Sequence, residues 1–374
     1  ESYLLTEGKL VKADDRAYAN ADAISLTNNG LMHLFSNIKY QLSGQEVESV
    51  FHPGQATTML GLLKFPDDFS KSKGLNQLWY KDTGLTAADA NTGFKVRHDY
   101  LIEKPDPKGT FSFCIPLSHI FGFCEDYDKV VYGVKHTLTL VRKGDNDAIF
   151  RAAAADAGKV VLEKLSWLMP HVTPALEEKT QLYKTIERKV NLPVAFRQRQ
   201  CDSIPVPQST SFSWRLSVKS SPEKPRWIIV GFQTDKSANQ EHNPSIFDHC
   251  QLKNMYIMLN STRYPAIDHQ LNFTQQKFSR AYSDAAEFRK NFYHMDELVS
   301  NPNITPSDYK ELFPLFVFDV SKQSEKLKNS VTDIQVKMFF NVAVPANTEA
   351  FAVVISDKQI NFKSDGNKFS VEYS

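Results

Sequence analysis

The sequence predicts an all-β protein of two β-sandwich domains in tandem, and three observations carry that prediction. The chain has 374 residues, which is too long for one ordinary sandwich and suits two domains of roughly 200 residues each. Aromatic residues make up 12% of the chain, including 26 Phe, and large rings fill the space between packed sheets. Short runs in which apolar and polar residues alternate recur along most of the chain, as in half-buried strands.

The first half opens with a predicted β-hairpin. Ile38–Leu42 and Glu46–Val50 both alternate apolar and polar residues, and Ser43-Gly44 between them is typical of a tight turn. Three further strands are predicted, at Thr110–Ile115, Lys135–Val141 and Lys159–Met169. The pattern is interrupted by Gly54–Phe65, whose apolar residues have helical spacing between two prolines, which predicts a short helix in a loop.

The stretch from Pro66 to Phe94 has little periodicity. Insertions of this length are uncommon in compact sandwiches unless they have a function. We therefore expect this stretch to form loops that project from one end of the strands.

A helical pattern separates the two halves. After Pro174, the residues Leu176, Leu182, Tyr183 and Ile186 follow the spacing of an amphipathic helix among Glu and Lys, and Asn191-Leu192-Pro193 ends it. The expected division is therefore a first domain at 1–172, a linker helix at 173–191 and a second domain at 192–374.

The second half repeats the order of elements in the first. A strand enters a tight turn between Met255 and Pro265, as one does between Ile38 and Val50, and a helical interruption follows at Phe278–Phe292 and Pro306–Leu312. The predicted strands are Ser211–Val218, Arg226–Gln233, Leu252–Leu259, Phe316–Val320, Ile334–Val344 and Ala350–Ile355. The repetition is architectural, because the halves share negligible sequence identity, and it favours two similar all-β domains.

Charge and cysteine usage narrow the functional class. The formal net charge is +1, and the chain lacks the basic excess with which proteins coat nucleic acid, so no direct sequence-specific nucleic-acid binding is expected. No apolar stretch reaches about 18 residues, the length that crosses a bilayer. The cysteines Cys114, Cys124, Cys201 and Cys250 lack metal-site spacing and suggest buried thiols in a reducing compartment, although a Cys114–Cys124 disulfide remains open.

No catalytic, cofactor-binding or metal-binding residues are predicted. His98, His119, His136, His249 and His294 are scattered, and no nucleophile, zinc or phosphate-loop motif accompanies them. They are therefore expected at surfaces and strand edges.

Two features keep a minor alternative open. The acidic run Glu125–Asp128 is expected to be a solvated loop, with a cation site as the alternative. Trp79-Tyr80 lies in a loop-like stretch and could bind sugar or pack at a subunit contact, whereas Trp167, Trp214 and Trp227 are expected in the core.

Several segments together resemble the double jelly-roll major capsid proteins, in particular those of Polinton or Maverick elements and adintovirus-like viruses. The resemblance spans roughly Leu34 to Ile360. The segments that carry it are Phe35–Tyr40 with Gly44, His52-Pro53-Gly54, Phe111–Phe123, Lys224–Gln233, Asp248–Pro265 and Val344–Thr348. Each motif is short and structural, and their order across both halves makes the resemblance specific.

The resemblance implies a fold of two tandem eight-stranded jelly-roll sandwiches, with short helices in loops and a linker helix. It further implies pseudo-hexameric homotrimers that tile an icosahedral shell of a double-stranded DNA virus, with loops forming towers outside. The implied partners are neighbouring trimers, a penton protein at the vertices and minor or cement proteins, with an internal membrane possible. The implied location is the virion, after synthesis in the host cytoplasm and assembly there or in the nucleus. The rivals are a capsid-derived scaffold or host-retained capsid gene and, less favoured, a glycan-acting enzyme on two jelly rolls.

Overall fold

The computed structural model describes residues 1–88, 90–189, 191–217, 224–295, 304–323, 332–364 and 369–373. In the first half the strands are β1 Tyr3–Lys12, β2 Ile24–Leu26, β3 Phe35–Leu42, β4 Gln45–Phe51, β5 Thr110–Pro116, β6 His136–Arg142, β7 Ile149–Arg151 and β8 Gly158–Leu168. In the second half they are β9 Asn191–Val206, β10 Ser211–Arg215, β11 Lys224–Thr234, β12 Leu252–Leu259, β13 Thr262–Tyr264, β14 Phe316–Asp319, β15 Ile334–Phe340, β16 Thr348–Ser364 and β17 Phe369–Tyr373.

Short α-helices occupy the connections between these strands. They are α1 Pro53–Lys64, α2 Asp67–Ser70, α3 Thr92–His98, α4 Gly122–Asp126, α5 Leu176–Glu187, α6 Ser279–Ala286, α7 Phe288–Tyr293 and α8 Pro306–Glu311. Among the described residues, no helix is long and apolar enough to span a membrane.

The second half forms a complete jelly roll by nested antiparallel pairing. β9 pairs with β16, β10 with β15, β11 with β14 and β12 with β13, so the first strand meets the last and each inner pair lies within the next. β16 also pairs with β11, and β15 with β12, which produces two four-stranded sheets, β9-β16-β11-β14 and β10-β15-β12-β13. This is the topology of a jelly roll. β17 extends the first sheet along the end of β16.

The first half shows the same nesting. β1 pairs with β8, β2 with β7 and β3 with β6 in antiparallel register. β5 adds to the free edge of β1, and β4 forms a hairpin with β3. Nested pairing in both halves confirms the all-β fold of two tandem jelly rolls predicted from the sequence.

Apolar residues fill both sandwiches and continue from one to the other. Strand β3 alternates buried Ile38, Tyr40 and Leu42 with more exposed neighbours, as a strand with one face in the core does. Helix α1 is buried along its whole length, which explains the run of small and apolar residues GQATTMLGLL. His52 precedes it with a positive φ of 46°, and Pro53 at its first position fixes the helical start.

The structure corrects several sequence expectations. The segment from Pro66 to Phe94 is not a freely projecting loop, because Leu78 and Trp79 lie in the core and Asp82 forms a fully buried ion pair with Arg97. The predicted helix Phe278–Phe292 is broken at Glu287 into α6 and α7.

The predicted strand Ile334–Val344 ends earlier, at Phe340, in β15. The predicted strand Ser211–Val218 ends earlier, at Arg215, and its last residue, 218, lies outside the described residues. Position 190, in the predicted linker, also lies outside them.

Candidate functional site

The two jelly rolls meet at a cluster of buried and partly buried charged residues with one exposed tyrosine, which we call the junction cluster. It comprises Glu48 on β4, Lys64 on α1, Glu125 and Asp126 on α4, Arg197 and Arg199 on β9, and Tyr293 on α7. Four of these side chains come from the first half of the chain and three from the second.

Glu48 connects three segments through its carboxylate. Its Oε1 atom accepts hydrogen bonds from the backbone N–H of Arg199 at 2.7 Å and of Gly122 at 3.0 Å, and its Oε2 atom accepts from Phe123 N–H at 3.0 Å. These N–H groups belong to α4 and β9, so one side chain satisfies backbone donors on both sides of the junction. The Glu48 side chain is fully buried, so these bonds are shielded from water.

Glu125 lies between two buried cations. Lys64 Nζ is 2.5 Å from Glu125 Oε1, and Arg199 Nη2 donates to the other carboxylate oxygen. Tyr293 Oη–H also donates to Oε1 at 2.6 Å. Arg199 is only 2% exposed and donates its second Nη to the carbonyl of His119 at 2.9 Å. One carboxylate therefore holds side chains from α1, β9 and α7 together.

Asp126 and Arg197 form a second ion pair beside the first. The Arg197 backbone N–H donates to Asp126 Oδ2 at 2.7 Å, and its Nε atom donates to the same oxygen at 2.9 Å. The guanidinium lies over the Phe292 ring at 4.0 Å and donates to the Phe292 carbonyl at 2.9 Å. The planar guanidinium is suited to this combination of bidentate pairing and stacking, which lysine cannot reproduce.

Burial and charge pairing shift the pKa values of the cluster in different directions. Burial raises the pKa of Glu48 to about 7, against the opposing effects of Arg199 and the three N–H groups. Burial alone would also raise the pKa of Glu125, but Arg199 and Lys64 hold it well below its usual value. Burial, followed by repulsion from Arg199, lowers the pKa of Lys64. Glu125 therefore stays ionised at neutral pH as the counter-ion that the two cations share.

The chemistry of this arrangement is structural. Its donors and acceptors are directed at each other and at the backbone, and its residues come from both jelly rolls. Directional hydrogen bonds of this kind define one relative orientation of two packed bodies more strictly than apolar contact does. The junction cluster therefore fixes the angle between the two jelly rolls.

A second set of contacts also joins the two halves of the chain. Gln240 accepts from Gly158 N–H at 2.9 Å and donates to the Gly158 carbonyl at 2.8 Å, so a side chain of the second half pairs with the start of β8. Arg151 pairs with Glu241 at 3.0 Å. Ser245 donates to Asp82 at 3.0 Å. These bonds are far apart along the chain and limit rotation of one jelly roll against the other.

The acidic run was predicted incorrectly. Glu125 and Asp126 end helix α4 in partly buried ion pairs, and only Asp128 of the run is exposed, so it is not a solvated loop. The carboxylates already have cationic partners from the chain itself, which removes the basis for a cation site there. In the described part of the chain, no three side chains of the His, Cys, Asp and Glu types come together as metal ligands.

The scattered histidines take separate structural positions. His98 is buried against the carbonyls of Ile24 and Asn20, at 2.7 and 3.1 Å. His119, His136 and His249 contact Gln77, Tyr40 and the Phe273 ring, in that order. His294 follows the end of α7. The expectation of surface and strand-edge positions is therefore wrong for His98.

The tryptophans lie mainly in the core, and the cysteines are not paired with each other. Trp79 is buried edge-on to Phe65 at 5.0 Å, so it is neither a sugar platform nor an exposed contact. Trp214 and Trp227 are buried as expected, and Trp167 is partly buried against Tyr40. All four cysteines are free thiols, so the Cys114–Cys124 disulfide is not formed.

The segment between the jelly rolls exposes apolar side chains. Leu176 at the start of α5 is 81% exposed. Other exposed apolar residues lie along the same stretch, from β8 to the start of β9: Leu165, Leu168, Val172, Tyr183 and Leu192. We call these six residues the linker patch. Exposed apolar side chains concentrated on one stretch of chain are candidates for contact with another molecule.

Comparison with known proteins extends these observations. A family model described as a double jelly roll-like domain matches residues 24–360. No curated protein sequence matches the chain. Solved structures match over nearly the whole chain at low sequence identity, which shows a shared fold.

Three of these structures illustrate the shared fold. The Sputnik virophage structure gives a TM-score of 0.59 at 10% identity and covers 100% of this chain and 82% of that one. PBCV-1 VP54, fitted into a reconstruction of Sputnik, gives 0.54 at 12% identity, with 100% and 89% covered. The Faustovirus major capsid protein gives 0.54 at 8% identity, with 96% and 77% covered.

Both the nested strand pairing and the extent of the family match lead to one assignment. The matched region begins at β2 and ends within β16, so it includes strands of both jelly rolls and the junction cluster between them. The chain belongs to the double jelly roll-like domain family.

Proposed function

We propose that this protein is a structural major capsid protein, not an enzyme, whose homotrimers tile an icosahedral viral shell. The observation that carries the proposal is the presence of two nested jelly rolls in one chain at a fixed relative orientation. Three such chains around an axis present six similar sandwiches, and a pseudo-hexagonal unit tiles a surface. The family assignment and the similarity to the Faustovirus major capsid protein support it.

The proposal includes boundaries for two domains and a linker. The first jelly roll occupies 1–172, the linker helix 173–191 and the second jelly roll 192–374. The proposed partners are neighbouring trimers, a vertex protein and minor or cement proteins. The proposed source is an element or virus of the Polinton or Maverick group. The proposed location is the virion, after synthesis in the host cytoplasm. The near-neutral charge supports a shell that does not bind nucleic acid through this subunit.

The linker patch is proposed as part of the contact between subunits. Apolar side chains as exposed as Leu176 are costly on a free surface and are commonly covered in obligate oligomers. The total area buried in each interface is expected to exceed about 2,000 Å², as obligate interfaces do.

The test is light scattering behind a sizing column, followed by negative-stain imaging. We expect a particle of three times the 42.5 kDa chain mass with a hexagonal outline, or closed shells. A monomer that persists across salt and pH would refute the capsid proposal and favour a double jelly-roll enzyme. Trimers that never form shells, even at high concentration, would favour a capsid-derived scaffold or host-retained gene.

The role of the linker patch is tested by a matched pair of variants. Leu176→Glu places a charge in the patch, whereas Gln181→Glu adds the same charge to an exposed polar position of the same helix. The first should shift the trimer towards monomer and the second should not. A trimer unaffected by both would place the subunit contact elsewhere without affecting the capsid proposal.

A further inference from the structure

A cavity in the second jelly roll is not used by the proposed assembly function. It has a volume of about 150 Å³ and lies between the end of β13, helices α6 and α7, and strands β11 and β14. Its lining residues are Trp227, Tyr264, Pro265, His269, Arg280, Asp284, Glu287, Asn291, Val317, Phe318 and Asp319. The space exceeds what one ordered water needs and can hold a small organic group.

His269 is the main evidence that the cavity binds something polar. Its side chain is only 3% exposed, and neither ring nitrogen has a hydrogen-bond partner among the described residues. Buried polar groups are nearly always hydrogen-bonded, so two buried nitrogens without partners indicate a missing one. Nε2 is 3.9 Å from Asp284 Oδ2, which is too long for a hydrogen bond and leaves room for a bridging group.

The charges around the cavity favour a cation. Three carboxylates line it, from Asp284, Glu287 and Asp319, against one guanidinium, from Arg280. Burial raises the pKa of Asp284, an effect that outweighs the attraction of Arg280, so this carboxylate lacks full compensation from the chain. Burial also lowers the pKa of His269 to about 4, so the neutral ring offers an acceptor nitrogen at pH 7.

The remaining walls are apolar and aromatic. The His269 ring is parallel to Phe318, with centroids 6.0 Å apart, and Trp227 and Tyr264 complete the lining. Aromatic faces attract alkylammonium groups through their quadrupoles and accommodate methylene groups.

We propose that this cavity binds the ammonium end of a small aliphatic diamine or polyamine. The ammonium group donates to the carboxylate of Asp284 and to a ring nitrogen of His269, and the adjacent methylene groups pack against Phe318 and Trp227. This inference goes beyond the proposed assembly function and does not depend on it.

The test is calorimetric titration of the purified full-length protein with putrescine at low salt. Asp284→Asn removes one acceptor charge and should weaken binding about tenfold, the value of one charge-assisted hydrogen bond. Arg280→Gln removes the competing cation and should strengthen binding severalfold. Glu187→Gln, which removes an exposed charge at the end of α5, is the matched control and should leave binding unchanged.

A second measurement locates the bound amine. The imidazole resonances of His269, assigned by comparison with His269→Asn, should shift on addition of putrescine to the parent protein. Absence of binding at millimolar putrescine would overturn the proposal. So would the opposite signs for the Asp284 and Arg280 variants, or tighter binding of glutarate than of putrescine, because each indicates an anion site.

Discussion

Glu125 is the residue on which the junction cluster depends, because Lys64 and Arg199 share its carboxylate. Replacing it with the isosteric glutamine removes the carboxylate that pairs with both Lys64 and Arg199. Lys64, whose pKa burial lowers to about 7, can then lose its proton, but Arg199 stays charged. Breaking a buried ion pair from one side costs about 3–5 kcal/mol. Because the Glu125 side chain is 16% exposed and partly screened, we expect Glu125→Gln to cost about 3 kcal/mol of unfolding free energy.

Arg199→Met should cost less, about 2 kcal/mol, because Lys64 and Tyr293 still compensate Glu125 after the guanidinium is removed. The double variant Glu125→Gln/Arg199→Met leaves a single buried cation, Lys64, which can lose its proton. The two costs should therefore fall short of additivity by about 1–3 kcal/mol.

The assay is urea unfolding at pH 7, followed by tryptophan fluorescence. Glu187→Gln at the exposed end of α5 is the control and should change stability by no more than about 0.5 kcal/mol. A cost below about 1 kcal/mol for Glu125→Gln, or strict additivity in the double variant, would refute the description of one carboxylate shared by two cations.

Two further predictions concern the same junction. In Gly122→Ala, the new Cβ would lie 1.7 Å from the Arg197 carbonyl oxygen, so β9 must move. We expect this variant to lose at least about 3 kcal/mol of unfolding free energy in thermal unfolding. Gly144→Ala is the control and should be close to neutral, because its new Cβ meets open space. Burial raises the pKa of Glu48 from the usual 4.5 to about 7, so folding favours its protonated form, and that stabilisation is complete below pH 4.5 and lost as the pH rises through 7. The stability of the parent minus that of Glu48→Gln should fall by about 3 kcal/mol between pH 4.5 and 8 in urea titrations, and a pH-independent difference would contradict the raised pKa.

The all-β fold could be predicted from the sequence because the alternation of apolar and polar residues that marks a strand is a local pattern. The hairpin at Ile38–Val50 and the short helix after Pro53 appear where alternation, turn residues and flanking prolines predict them. The repeated order of strands and helices that the sequence predicts for the two halves also appears in the structure, because both halves nest their strands in antiparallel pairs. The resemblance then specified a jelly roll among the possible sandwiches.

Two long strands that the sequence did not reveal, β1 and β9, have charged residues in their pattern. β1, Tyr3–Lys12, alternates buried and half-buried residues, but Glu7 and Lys9 made this stretch appear only as mixed charge. β9 carries Arg197, Gln198 and Arg199, which local propensity places outside a core strand. The two arginine side chains are stable there because each pairs with a carboxylate, Asp126 for Arg197 and Glu125 for Arg199, and both carboxylates lie more than 70 positions away in the chain.

The junction cluster could not be predicted for the same reason. Glu48 is one polar residue in an alternating hairpin, and Glu125-Asp126 is an acidic pair near a turn; nothing local distinguishes either from a surface position. The available signal was two arginines at alternate positions in β9, on the same face of a strand. Such spacing places both guanidinium groups on one side of the sheet, where each needs an acidic partner, but only the nested topology brings α4 beside β9.

Buried ions at the junction have a consequence for the proposed role as a capsid subunit. Apolar residues of equal volume often stabilise a protein as well as a buried ion pair does, so stability alone does not require Glu125, Lys64 and Arg199. Apolar surfaces, however, can slide, whereas Glu48 and Glu125 bond to particular N–H and N⁺–H groups of β9 and α1. The proposed pseudo-hexagonal unit, made from two unequal jelly rolls, would need their mutual angle to be the same in every copy. The cluster supplies that angle within the chain, before any neighbour binds.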